Sequence, residues 1–194
     1  MVKSHMSVMD ELKGYASPKA RLTRLLKSGR LIQLRRGLFA DNAVVSRRVI
    51  ASALYGPSYI SFEYALAAAG LIPERVTTVS SASFNKNKDK VFRNPLGEFR
   101  YYYLPAAVYP YGITMEEENG SSYLIASPEK ALCDTIYKAP DIITVKAMNA
   151  LLLENLRINM DALDKLDADF IRWIAPLYRR RAVLALSAWF TKKV

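Results

Sequence analysis

Histidine and cysteine are almost missing from this 194-residue chain, which has one of each, His5 and Cys133. The opening MVKSHM resembles an expression-vector leader, which would put the natural start at Met6 and leave the natural protein without histidine. A lone cysteine excludes an internal disulfide and fits a reducing cytoplasm. No Ser-His-Asp or Cys-His pair can be assembled from this composition, and Zn²⁺ lacks its usual ligands. Carboxylate chemistry with a hard cation stays open. Long apolar runs are missing too. ALAAAGLI (65–72) and AVLALSAWF (182–190) fall far short of the roughly 20 residues needed to cross a bilayer. The first ten residues carry no apolar core followed by a cleavage site, so no signal peptide is expected. The expectation is a cytoplasmic protein with no membrane partner.

Acidic residues are scarce in one place. Between Met6 and Arg48 stand ten basic residues and three acidic ones (Asp10, Glu11, Asp41), while the net charge of the whole chain is +10. From Val49 onward the two signs nearly balance. A positive excess confined to the N-terminal quarter is the footprint of a face that meets a polyanion.

The same quarter has a readable local order. SVMDELKGY (7–15) suits a short first helix with Ser7 as cap. Ser17-Pro18 opens a second helix, with proline in the first turn where its missing N–H costs nothing, and Gly29 closes it. Leu22, Leu25 and Leu26 share one helix face and should pack inward. The opposite face carries Ala20, Thr23, Arg24 and Lys27, with Lys19 and Arg21 on its flanks. LIQLRRGLFA (31–40) then changes period: Ile32 and Leu34 alternate with Gln33 and Arg35, and Gly37 permits a tight turn after Arg36. A helix pair followed by a basic hairpin describes a winged helix-turn-helix on double-stranded DNA. Thr23 and Arg24 are expected to read bases; Lys27, Arg35 and Arg36 are expected to hold the backbone. SRRVIASALY (46–55) should close the small core from the other side, bringing Arg47 and Arg48 near the phosphates.

The remainder reads as α+β, with the division expected at 7–45 for the DNA-binding unit and 46–194 for a mixed α/β domain ending in helices. PSYISFEYALAAAGLIPE (57–74) should form a turn and a helix capped by Ser61. RVTTVSSASF (75–84) and EFRYYYLP (98–105) suit strands, with 85–97 between them as a mobile loop. Asn119-Gly120 marks a type I′ hairpin turn within 113–127. SPEKALCDTIYK (127–138) starts another serine-capped helix, and helices over 144–155, 159–174 and 177–191 follow. Glu129 and Asp134, with Lys130 between them, raise a rival reading: a metal-dependent nucleic-acid enzyme. Against it, Glu129 lies in a first turn, where a negative charge complements the helix dipole. Cys133 is expected in the core, and the YYY run (101–103) is expected to pack rather than stack on bases. Glu116 to Glu118 read as a solvated hairpin tip, and Arg179 to Arg181 as a solvated helix face.

Three stretches carry a resemblance when taken together: the basic helix and wing ending LIQLRRGLFA, then PSYISFEYALAAAGLIPE, then LGEFRYYYLP with ASPEKALCDTIY. Over residues 17–138 the chain resembles the AbiEi-type antitoxins, the repressor half of the AbiE abortive-infection (type IV) toxin–antitoxin systems. The resemblance implies a winged-helix transcriptional regulator that binds inverted repeats in its own promoter. It also implies a C-terminal domain that counters a nucleotidyltransferase toxin, no catalysis, and neither cofactor nor metal. A homodimer is one assembly that inverted repeats could carry. The DNA role falls on Lys19, Arg21, Thr23, Arg24, Lys27, Arg35 and Arg36, with Gln33, Arg47 and Arg48 added from the residue reading. Pro57, Ser58, Tyr59, Gly70, Pro73, Pro128, Glu129 and Asp134 match motif positions that look like fold determinants.

Overall fold

The structure, a computed structural model, describes residues 1–140 and 142–192. It is α+β and ends in helices. The chain opens with strand β1 (Val2–Ser4), helix α1 (His5–Glu11) and helix α2 (Pro18–Lys27), then the hairpin β2 (Ile32–Arg35) and β3 (Leu38–Ala40). These strands form an antiparallel sheet with β3 in the middle, in the order β1-β3-β2. Residues 2–4, read from sequence as a vector leader, are therefore part of the fold: Val2 pairs with Ala40 and Ser4 with Leu38. The Ser4 hydroxyl also accepts from Ser7 N–H at 3.1 Å, so α1 begins at His5 and its cap is Ser4 rather than Ser7.

After helix α3 (Arg47–Leu54) come β4 (Ser58–Ile60), helix α4 (Phe62–Ala68), β5 (Val79–Ser83), β6 (Lys90–Asn94), β7 (Gly97–Tyr103), β8 (Ile113–Glu118) and β9 (Ser121–Ala126). They build a second sheet in the order β6-β7-β5-β4-β9-β8, with β4/β9 and β5/β7 parallel and the other pairs antiparallel. The segment 85–97, expected as a mobile loop, contains β6. Lys88 and Lys90 are exposed, while Phe92 packs on Tyr55 and Tyr101 at ring distances of 6.0 and 5.7 Å. One aromatic at the right register anchors an otherwise polar strand. The hairpin turn at Asn119-Gly120 is as read, with both residues at positive φ (53° and 72°).

Helix α5 (Pro128–Lys138) packs against α4, β9 and the closing helices α8 (Ala168–Ile174) and α9 (Arg181–Lys192). Helix α6 (Val145–Ala150), extended by a π-turn over Leu151–Asn155, lies against α9. The single helix expected over 159–174 is two, α7 (Met160–Asp164) and α8. Asp167 ends the run by accepting from Phe170 N–H at 2.9 Å and capping α8.

The small sheet serves two cores. Phe39 and Leu31 pack with Val8 of α1, with Leu12 just after it, and with Leu22, Leu25 and Leu26 of α2. Leu34, Leu38 and Ala40 join Ile50, Ala51 and Leu54 of α3 in the main core, which continues through the large sheet to the C-terminal helices. Helix α3 touches strands of both sheets.

Candidate nucleic-acid interface

On α2 the apolar positions are half-buried, and Lys19, Ala20, Thr23, Arg24 and Lys27 are exposed. The 3.6-residue period places the three leucines on one side, so the opposite side is left to small and cationic residues. Gln33 and Arg35 point outward from β2 while Leu34 is buried, and Arg36 sits exposed at the turn. Arg35 Nη1 donates to the Arg36 carbonyl at 3.3 Å, which steadies the tip of the hairpin.

The electrostatics of this face follow from where the acids go. Glu11 accepts from Lys3 at 2.9 Å, Asp10 from Lys13 at 3.0 Å, and Asp41 from the chain's terminal amine. The three carboxylates of the N-terminal quarter are thus taken up by cations outside the predicted site. Among the described residues, none comes within ion-pair distance of Lys19, Arg21, Arg24, Lys27, Arg35 or Arg36. Unneutralised, mutually repelling cations on one exposed face produce a field that attracts an anion. Thr23 is exposed, but its hydroxyl donates back to the Lys19 carbonyl at 3.1 Å and so has acceptor capacity to offer a base edge.

Arg47 and Arg48 stand apart from these residues. Arg47 donates to the Thr77 carbonyl and lies over the Phe99 ring at 5.8 Å, against Gly97, where a Cβ would come to 2.9 Å from its Nε. Arg48 donates to Tyr123 Oη at 3.1 Å and approaches Glu118 at 3.9 Å. Ser46, the cap of α3, donates to the same Glu118 at 2.5 Å, and Tyr123 donates to Glu116 at 2.6 Å. The expected solvated glutamate tip therefore tethers α3 to the β8–β9 hairpin, and both arginines are engaged on the large sheet.

The rival pair, Glu129 and Asp134, does not converge. Glu129 accepts from Asp167 N–H at 3.2 Å. Asp134 is wholly buried: its Oδ2 accepts from Tyr59 at 3.0 Å and Ser61 at 2.6 Å, and its Oδ1 accepts from Lys130 at 2.6 Å and from Tyr178. Lys130 is equally buried and also donates to Tyr178 Oη at 2.7 Å. Burial and the Asp134 charge hold the Tyr59 and Tyr178 phenols well above their ordinary pKa. Among the described residues no group of three or more His, Cys, Asp or Glu is placed to hold a metal ion.

Sequence reasoning located Asp134 but missed its partners. Ser61 reads as a helix cap, and it does occupy the N-cap of α4, yet its hydroxyl makes no cap bond and turns to Asp134 instead. Tyr178 leaves no local signal, being 44 positions from Asp134. Tyr15, whose ring lies under Arg21 at 4.9 Å, was also unmarked.

No protein-family model matches the chain, and no curated protein matches it.

Proposed function

We propose that this chain is a DNA-binding repressor of the winged helix-turn-helix type, with α2 as the helix that enters the major groove and the β2–β3 hairpin as the wing. One observation carries the reading: among the described residues, the cations on the exposed front of α2 and at the hairpin tip have no carboxylate within ion-pair distance, while the three local acids pair elsewhere. Thr23 and Arg24 read base edges, and Lys19, Arg21, Lys27, Gln33, Arg35 and Arg36 hold the flanking backbone. The antitoxin half of the proposal, countering a nucleotidyltransferase-type toxin without catalysis, rests on the motif resemblance over residues 17–138. Burial of Tyr59, Lys130 and Asp134 gives those motif positions a structural task.

The test is a salt titration of binding to the DNA immediately upstream of the chain's own reading frame. Each phosphate contact contributes about −0.9 to the slope of log affinity against log salt, so five or six contacts give roughly −5. Arg24→Ala is expected to relax sequence preference, and Arg36→Ala to weaken all sequences about equally. A flat salt response, or identical effects of the two changes, removes the assignment.

A further inference from the structure

Beside the front of α2 lies a notch of about 310 Å³ lined by Tyr15, Ser17, Arg21 and Arg24. We infer that this notch seats one backbone phosphate of the duplex, and that Tyr15 is the positioning residue that holds Arg21 for it. The inference rests on the DNA-binding reading and extends it to a residue outside the helix and the wing.

Tyr15 follows α1 and is 49 % exposed, sharing the notch with Ala16 and Ala20. Its use is visible in what it supports: the Arg21 guanidinium lies over the ring face at 4.9 Å. Stacking fixes the plane of a side chain that otherwise loses much rotamer freedom on binding, so the donor fork is oriented before the anion arrives. Arg21 Nε is shielded from water and has no hydrogen-bond partner, so an incoming anion is met by the Nη end of the guanidinium. Arg24, one turn further along, edges the notch and adds its charge to the local field while its fork is left to the base edge, and the Ser17 hydroxyl, which makes no cap bond, lines it as a neutral donor. The nearest acids in sequence, Asp10 and Glu11, are held by Lys13 and Lys3. A guanidinium fork, a second cation and a hydroxyl are a donor set for a tetrahedral oxyanion. Beyond the notch the same helix carries exposed Thr23 and Lys27, and a row of this kind suits a phosphate within a polymer better than a free ion.

The experiment measures binding of the full chain to two duplexes of equal length, the upstream fragment and an unrelated sequence, across a range of salt. Tyr15→Ala and Arg21→Ala should each lower the salt slope by about 0.9, weaken both duplexes in the same proportion, and leave their affinity ratio unchanged. Tyr15→Phe keeps the ring and should keep the slope. The double variant should lose no more than Arg21→Ala alone, because Tyr15 acts through Arg21. A full slope in Tyr15→Ala or Arg21→Ala, with wild-type binding intact, overturns the phosphate seat and leaves the repressor reading standing. Failure of the wild type to bind either duplex overturns both. A parallel titration with inorganic phosphate, followed by the amide resonances of residues 16–21, separates the sources: phosphate bound there by a protein that ignores both duplexes assigns the notch to a free anion and sinks the inference.

Discussion

Asp134 shows how much a single side chain can organise. Its two oxygens accept from Tyr59 and Ser61 at the end of β4, from Lys130 on α5, and from Tyr178 beyond α8, so three parts of the fold meet at one carboxylate. Both charges of the pair are fully buried. Asp134→Ala would strand the Lys130 ammonium in the interior, and a loss of about 3–5 kcal/mol is expected in urea unfolding. A loss under 1 kcal/mol would mean that the Lys130 ammonium finds another partner. The tyrosines supply a second expectation. Burial pushes the Tyr109 phenol up to about 12, and burial with the neighbouring Asp134 charge holds the phenols of Tyr59 and Tyr178 well above ordinary tyrosine. The unfolded chain releases these protons near pH 10, so above that pH it binds fewer protons than the folded chain. Stability is therefore complete below about pH 10 and falls as the pH rises through the folded values. Unfolding followed by phenolate absorbance should be a steep, cooperative alkaline transition; a gradual titration with the fold intact would contradict the burial. At this scale Cys133 was legible as core from its apolar neighbours, and it is fully buried. The Tyr178 contact was not, because nothing local records a partner 44 positions away.

Elements were legible wherever periodicity, caps and turn residues agreed. The exposed row of α2 and the Asn119-Gly120 turn stand where spacing put them. The misses share a cause: β6 depends on pairing with β7 and on Phe92 reaching Tyr101, neither of which appears in a polar window. Arg47 and Arg48 belong to the same class. Their charge suggested phosphate, but the element that carries them packs against the large sheet, where Thr77, Phe99, Tyr123 and Glu118 take them up. Arg47→Ala is accordingly expected to lower the urea midpoint while leaving the salt slope of duplex binding unchanged. Gly97→Ala should do the same, since its φ of +138° is one that side chains rarely adopt and its new Cβ would press on the Arg47 guanidinium. A slope reduced by about one in Arg47→Ala would return that residue to the interface.

For the whole molecule the telling feature is the sharing of the small sheet. Adjacent residues Leu38 and Phe39 face opposite ways, the first into the main core and the second toward α1 and α2. A polypeptide comprising 46–194 would lose Leu34, Leu38 and Ala40 and would bare the side of α3 bearing Ile50 and Leu54. It is expected to unfold at a lower urea concentration than the full chain and to bind a hydrophobic dye in the absence of denaturant. An unchanged midpoint would show that the large sheet and its helices stand without the small one. The same sharing links the proposed DNA face to the rest of the protein: the strand that displays Gln33 and Arg35 inserts Leu34 into the main core.

The α+β class, the leucine-backed cationic helix, the basic hairpin and the burial of Cys133 all follow from short-range rules, because side-chain direction repeats every 3.6 residues on a helix and every two on a strand. Three matters were settled only by packing: the engagement of Arg47 and Arg48 on the large sheet, the assembly of Tyr59, Ser61, Lys130, Asp134 and Tyr178 around one carboxylate, and the Tyr15 ring under Arg21. Each of these except the last joins residues tens of positions apart, and all depend on distances of a few ångströms between side chains. Local propensity carries no information about such distances; the way the elements stack does.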